Sequence, residues 1–211
     1  LNGLMGATSL FKEALVDDDY VKYQDLFNIL ELSVQRLGHF LLLAERITTF
    51  KTERYKVNPE PIDLSRIIPE VLKTLEKKLS QKDLKLKFEA CTDGNDKCFA
   101  EKHLIDICLN EIVDNAIKYS EQGGEINVKT ACDEEHIIIE ITDNGPGFPE
   151  IVLKNIFKPF VTDEDITRQG MGLDLALIKC IIEAHNGIIK IMNNEAKGST
   201  VQLAFKKYNG Q

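Results

Sequence analysis

Between Leu26 and Ile47 the chain repeats its apolar residues at a spacing that only a helix can use. Leu26, Leu30, Ser33, Leu37, Phe40, Ala44 and Ile47 follow one another at intervals of 4, 3, 4, 3, 4 and 3 residues, an a/d heptad seam with one polar member, Ser33. A second row, Phe27, Val34 and Leu41, widens the stripe beyond a two-helix seam and suits a four-helix bundle. Upstream, Leu1, Leu4, Met5, Leu10, Phe11 and Leu15 suggest another helix, with Asp17-Asp18-Asp19 as the break between the two. One such hairpin supplies two helices, so a four-helix bundle needs a second copy of the chain. A single hairpin packed on its own domain is the alternative.

The periodicity then changes. Asn58-Pro59-Glu60-Pro61 cannot continue a helix, which marks 58–63 as a linker between a helical hairpin at 1–57 and a second domain at 64–211. Asp63 or Ser65 can cap a helix running to about Ser80, with Ile67, Ile68, Val71, Leu72 and Leu75 on one face and Pro69 expected in the first turn. Leu84, Leu86 and Phe88 alternate with charged residues and predict a half-buried strand. Helical spacing returns over 101–119. Strands are expected at Ile126–Val128, at Ile137–Ile141, near 187–193 and at 199–206, and a helix over 171–186, closed by Asn186-Gly187. Helices against a mixed, largely antiparallel sheet make an α+β sandwich.

Composition narrows the function. The 211 residues are 43% hydrophobic and 28% charged, an ordinary globular balance, and the net charge of −8 argues against a broad basic face for nucleic acid. The longest unbroken apolar run, Phe40–Ala44, is too short to cross a bilayer, so any membrane attachment would come from segments outside this chain. Five cysteines (Cys91, Cys98, Cys108, Cys132, Cys180) without a CxxC pair fit neither a disulfide framework nor a zinc site, and point to a reducing compartment.

Four clusters carry chemistry. In Asn110–Ser120, Glu111, Asn115 and Lys118 share one helix face, where a carboxylate, an amide and an ammonium can hold a magnesium polyphosphate; an ordinary solvated polar row is the alternative. Asp143-Asn144-Gly145-Pro146-Gly147-Phe148 ends a strand with two glycines that allow close approach of a ligand, and Asp143 could accept a hydrogen bond from an exocyclic amine; a plain turn explains it too. Ile156-Phe157-Lys158-Pro159-Phe160 could pin a segment over a site or anchor an ordinary loop. Gly170-Met171-Gly172-Leu173 leads into the last helix, where exposed N–H groups favour an anion, though a loop hinge needs the same glycines.

In order and spacing these clusters resemble the N, G1, F and G2 boxes of sensor histidine kinases, whose ATP-binding domain is of the type shared with gyrase and the mismatch-repair ATPases. Residues 1–6 look like the stretch just after the family's phosphoacceptor histidine motif, 26–54 like the second helix of its dimerisation hairpin, and Pro61-Ile62-Asp63-Leu64 like the entrance to its catalytic domain. The resemblance therefore implies a cytoplasmic kinase core that transfers the γ-phosphoryl of ATP to a histidine, for relay to an aspartate on a response-regulator receiver domain. It implies ATP and Mg2+ as cofactors and a homodimer formed through the hairpin, with the acceptor histidine lying upstream of Leu1. It further implies that Asn115 ligates magnesium, Lys118 approaches the phosphates, Tyr119 lies along the nucleotide and Asp143 binds the adenine amine. Gly145 and Gly147 would shape the adenine pocket. Residues from about 149 to 169 would form a lid, with Gly170 and Gly172 as its closing hinge over the phosphates; Phe160 and Leu173 would contact the nucleotide, and Thr200 would support Asp143.

Two residues depart from the kinase pattern. Glu111 stands where an asparagine is common and is similar to the general base of the ATP-hydrolysing relatives. Asp174 stands where another glycine is common, a carboxylate near the phosphates that is unfavourable unless it points away. These departures keep a gyrase-type ATPase and a nucleotide-free pseudokinase scaffold as rivals. His39 falls at an outward c position, and His103, His136 and His185 read as structural or solvated.

Overall fold

The computed structural model describes residues 20–91, 96–161 and 172–208 and divides into two compact units, Leu1–Thr48 and Thr49–Gln211. The expected first hairpin helix, the 162–169 run and Gly170 lie outside the described residues.

In the first unit the heptad seam lies on α1 (Tyr20–Lys51), whose last turn crosses the boundary. Leu26 and Ile47 are buried and Leu30, Ser33, Leu37, Phe40 and Ala44 half-buried, while Phe27, Val34 and Leu41 stand 59%, 57% and 58% exposed. Ser33, the polar seam member, turns its hydroxyl back to donate to Ile29 O at 2.7 Å, so it brings no unpaired donor to the seam. Among the described residues no helix is long and apolar enough to cross a membrane.

The second unit is α+β, as the periodicities imply. Its elements are β1 (Glu60–Asp63), α2 (Leu64–Thr74), α3 (Glu76–Gln81), β2 (Lys85–Glu89), β3 (Lys97–Ala100), α4 (Lys102–Tyr119), β4 (Glu125–Cys132), β5 (His136–Asp143), α5 (Glu150–Leu153), α6 (Asp174–Ala184), β6 (Ile188–Asn193) and β7 (Ser199–Lys206). Five strands form one mixed sheet in the order β2-β4-β5-β7-β6, with β2 parallel to β4 and the other pairs antiparallel. Facing positions repeat the period of two across three strands: Val128, Ile141 and Val201 align, as do Ile139 with Leu203 and Ile137 with Phe205, and all seven are buried. Buried faces of α2, α4 and α6 complete this core. On the alternate positions Glu140 takes an ion pair from Lys129 and a hydrogen bond from Gln202, and Ile138 lies between Ala131 and Ala204.

Several local expectations change. The helix expected to run to Ser80 is broken at Leu75, where the backbone turns and its N–H bonds back to Leu72 and Lys73. Leu75 is buried at the break. Asp63 caps α2 by accepting from Ser65 N–H and Oγ at 3.1 and 2.6 Å. That cap places Pro69 in the helix interior rather than in its first turn; the proline lies on the exposed side, where water can take the carbonyl it leaves unbonded. Residues 58–63, read as a linker, include β1, which pairs with β3 in a separate two-stranded antiparallel sheet. The last helix begins at Asp174, not at 171. Of its closing pair, Asn186 takes the left-handed conformation (φ 54°); Gly187 is needed for space, because a Cβ there would lie 2.5 Å from Ala204 O.

A buried histidine ties the two ends of this helical layer. The ring of His185, after α6, accepts from Glu101 N–H at 3.0 Å through Nε2, and its Nδ1–H donates to Ile181 O at 2.8 Å. Glu101 opens α4, and its carboxylate accepts from Tyr55 Oη–H and from Asn58 N–H. Burial holds the His185 pKa below its usual value of 6.5, more than the Ile181 bond and the Glu101 charge raise it.

Two predictions follow from these contacts. At Gly198 φ is +90° and a Cβ would stand 1.9 Å from Asp143 O, so the backbone itself must move to admit a side chain. Gly198→Ala should cost about 2 kcal/mol or more and lower the midpoint of thermal unfolding by about 4 °C or more. For His185, the unfolded state takes up a proton near pH 6.5 before the folded state does. The stabilisation by neutral His185 is therefore complete above that pH and is lost as pH falls toward the lower folded-state value. In urea titrations the stability gap between the parent chain and His185→Gln should be widest near pH 7.5 and narrow toward pH 5.

Candidate functional site

The site is built where α4 passes the ends of β5 and β7. One side of α4 is committed to the core through Leu104, Ile105, Cys108, Leu109, Ile112, Val113, Ala116 and Ile117. This leaves Glu111, Asn115 and Lys118 half-buried along the remaining stripe. The helix ends under an ammonium: Lys82 Nζ donates to Ile117, Lys118 and Ser120 carbonyls at 3.0, 2.7 and 3.2 Å, which satisfies orphan acceptors of the last turn and suits the negative end of the helix dipole. Lys118 Nζ lies 5.0 Å from the centroid of the Tyr119 ring. Burial, reinforced by the charge of Asp174, pushes the Tyr119 pKa up and keeps the phenol neutral.

Asp143 is the last residue of β5. Its Oδ1 accepts from Gly145 N–H at 2.7 Å and its Oδ2 accepts from Ser199 Oγ–H at 2.6 Å, which fixes the carboxylate plane and leaves lone pairs for a ligand. Gly145 has no room for a side chain: a Cβ would lie 2.9 Å from both Asp143 Oδ1 and Tyr119 O. Gly147 takes φ 75°, and the next residue is clamped by an amide, Asn193, which accepts from Phe148 N–H at 2.8 Å and donates to Phe148 O at 2.7 Å.

These elements enclose a cleft of about 1020 Å3, open solvent at its mouth included. Its walls are mainly apolar, with Ile112, Ile141, Val152, Ile156 and Val161 prominent, and its polar groups are few: Asn115, Tyr119, Asp143, Asp174 and Ser199. That is the composition of a pocket for a flat, mostly apolar ligand with a few polar fixing points. Asp174 does not point away. It lines the cleft from the first turn of α6, where the helix dipole favours an anion, and the Glu111 and Asp174 carboxylates come within 4.8 Å of each other.

Of the residues singled out in the sequence, Asn115, Tyr119, Asp143, Gly147 and Gly172 line the cleft. Glu111 and Lys118 lie beside it on α4, and Gly145 under the Asp143 turn. Leu173 is 2% exposed and packs in the core. Phe160 is 67% exposed with φ 66°, an unusual backbone for an aromatic, and its N–H donates to Gly172 O at 3.1 Å. Thr200 does not support Asp143. It faces Thr142 across the β5–β7 ladder, so it lies on the opposite side of the sheet from Asp143, and its hydroxyl donates to Asn194 Oδ1. Ser199, one residue earlier, has the right parity; counting by two along the ladder finds it. Asn193 and Lys82 were not singled out, and no pattern in the sequence marks either one, since their partners are backbone groups of distant segments.

Residues 100–209 match the family model described as histidine kinase-, DNA gyrase B-, and HSP90-like ATPase. Among curated relatives, the adaptive-response sensory kinase SasA of Prochlorococcus marinus (strain MIT 9313) is 28% identical over 184 residues, covering 84% of this chain and 50% of its own length. Sporulation kinase C of Bacillus subtilis (strain 168) is 30% identical over 198 residues, covering 90% of this chain and 42% of its own length. The chain thus spans about half the length, or less, of these relatives. Among solved structures, the Acinetobacter baumannii histidine kinase AdeS superposes with a TM-score of 0.75 at 23% identity, over 98% of this chain and 96% of its own. Histidine kinase ThkA, in complex with response regulator protein TrrA, gives 0.80 at 22% identity over 98% of this chain and 58% of its own. At these identities the two structures speak for the fold alone. The matched span covers β3's end to the β7 terminus, every described wall of the cleft falls inside it, and the relatives are sensory and sporulation kinases: the chain belongs to the histidine kinase-, DNA gyrase B- and HSP90-like ATPase family, as a relative of the sensor histidine kinases.

Proposed function

We propose that this chain is the catalytic core of a sensor histidine kinase: it binds Mg·ATP in the α4–β5–β7 cleft and delivers the γ-phosphoryl group to a histidine, for relay to a receiver-domain aspartate. The observation that carries the proposal is the Asp143 carboxylate, held by Gly145 and Ser199 at the floor of an apolar slot. A fixed acceptor between apolar walls suits the exocyclic amine of adenine, and Ile141, Val201 and Ile156 supply surface for the ring. Tyr119 flanks the nucleotide and Lys118 reaches its phosphates. Gly145 and Gly147 let the backbone close on the base, Gly172 lets it close on the phosphates, and Phe160 anchors the segment between them. The Asn115 amide oxygen, with the Glu111 and Asp174 carboxylates nearby, is a set of hard oxygen donors that fits a magnesium ion. Magnesium would supply charge neutralisation on the transferring phosphoryl group. Glu111 orients the attacking group and takes its proton.

At the level of the whole protein we propose a homodimer formed along α1 and its preceding residues, with 1–57 as the dimerisation arm, 58–63 as the connection and 64–211 as the ATP-binding domain, working in the cytoplasm. The exposed Phe27, Val34 and Leu41 row supports the dimer. The solved structure of ThkA holds a response regulator, which supports a receiver domain as the partner here.

Asp143→Asn tests the adenine assignment with little change of shape. The amide keeps an acceptor for Gly145 and can donate to the Ser199 hydroxyl, yet it presents a donor where the adenine amine needs an acceptor. Binding of a non-hydrolysable ATP analogue, measured by calorimetry, should weaken about tenfold or more, a loss of about 1.4 kcal/mol or more, with the thermal midpoint nearly unchanged. Equal affinity in the two proteins would sink the assignment. Glu111→Gln weighs chemistry against binding: turnover of ATP should fall by about a hundredfold or more, while the dissociation constant for the analogue in magnesium should change by much less, about tenfold at most.

A further inference from the structure

Two thiols meet at the end of the sheet that lies away from the cleft. Asp143, in the cleft, pairs with Ile126 near the start of β4; Cys132, at the other end of β4, pairs with Ile137. On β4's other side β2 runs parallel, with Glu89 beside Lys129, and the chain continues past β2 to Cys91. The Cys91 N–H donates to Thr130 Oγ1 at 2.8 Å, and Thr130 in turn bonds Asp96, so the backbone holds Cys91 against β4 after the ladder ends. Cys91 Sγ and Cys132 Sγ stand 2.7 Å apart, and both residues are half-buried rather than enclosed in the core. The other cysteines are placed differently. Cys98 and Cys108 are fully buried, and burial pushes their thiols up, Cys98 to about 12. Burial also raises Cys180, which sits on α6.

We propose that Cys91 and Cys132 form a modification site, a dithiol that closes to an intrachain disulfide when it meets a small-molecule disulfide of the glutathione type. The thiolate of one cysteine attacks a sulfur of glutathione disulfide, forming a mixed disulfide and releasing one glutathione thiolate. The second cysteine, as its thiolate, then attacks the protein sulfur of the mixed disulfide; the protein disulfide forms and the second glutathione leaves as thiolate. Two electrons pass from the protein to glutathione disulfide, and two protons go to solvent or to the released thiolates. Excess reduced thiol reverses both steps. The cross-link joins the edge strand β2 to β4 and closes a loop through β3 and α4, so it constrains the unfolded chain. It touches none of the cleft walls.

The test is to incubate the folded chain with glutathione disulfide, quench with acid, and map its peptides by mass spectrometry. The expected product is a single Cys91–Cys132 cross-link, two hydrogen masses lighter than the dithiol and removed by dithiothreitol. Its thermal midpoint should lie about 5 °C or more above that of the reduced chain. Cys91→Ser, or Cys132→Ser should the first fail to fold, should instead retain a glutathione adduct on the remaining member of the pair. A cross-link to any other cysteine, stable glutathione adducts on both residues of the parent chain, or pairing only after denaturation would each overturn the proposal. Nucleotide binding by the oxidised chain serves as an independent readout, so failure of the cysteine site and failure of the ATP assignment are distinguished.

Discussion

Everything at the cleft depends on where the Asp143 carboxylate is held. Three backbone constraints meet there. The β5–β7 ladder brings Ser199 opposite it, the Gly145 turn returns an N–H to it, and Gly198 passes so near Asp143 O that only hydrogen fits. A carboxylate on a flexible side chain would lose rotamer entropy on gripping a ligand; here that cost is met in folding, and the group waits in position. The same two bonds leave acceptor lone pairs on both carboxylate oxygens turned to the pocket, which selects a donor over an acceptor at that point.

The second dependence is on α4 as a carrier. Its buried stripe locks its rotation, its start is tied to His185 and Glu101, and its end sits under the Lys82 ammonium. The residues proposed to handle phosphate and metal are thus placed on a rod fixed at both ends, while the residues that read the base belong to the sheet. Small residues at the junction, above all Gly145 against Tyr119 O, let the two parts close on each other. A site assembled from a helix and a strand end is less exposed to loop motion than one made of loops.

How much of this was legible follows from the length scale of each constraint. Periodicity over many residues exposed the seam on α1, the strands β4, β5 and β7 and the buried stripe of α4, because burial imposes a repeat that survives in the sequence. The order of four motif clusters exposed the cleft. Short elements escaped: β1 and β3 are four residues each, too brief to show alternation, and Pro59 and Pro61 argued for a linker where a short strand forms. The kink at Leu75 has no glycine or proline to announce it. The resemblance points to Thr200 because it gives a position, whereas the parity of the ladder, which decides for Ser199, appears only once the register Thr142 to Thr200 is known. Lys82 and Asn193 escaped because their partners are backbone groups far away in sequence.

The electrostatics of the cleft impose a condition on any polyphosphate that enters it. Among its described walls there is no lysine or arginine, while Asp143 and Asp174 both face it and Glu111 lies within 4.8 Å of Asp174. Lys118 is near, but it leans over the Tyr119 ring. The chain as a whole carries −8, so no long-range attraction for a free nucleotide anion arises from its net charge. An ATP tetra-anion would therefore meet like charge at short range in a partly desolvated slot, where the repulsion is weakly screened. A divalent ion bound to the phosphates reverses that balance: the carboxylates that repel the bare anion become ligands or counter-charges for the complex. On the proposed reading, the unusual Asp174 therefore makes nucleotide affinity more dependent on magnesium rather than abolishing it. Asp174→Gly would then raise affinity for ATP in the presence of chelator more than for Mg·ATP, and calorimetry under the two conditions measures the difference.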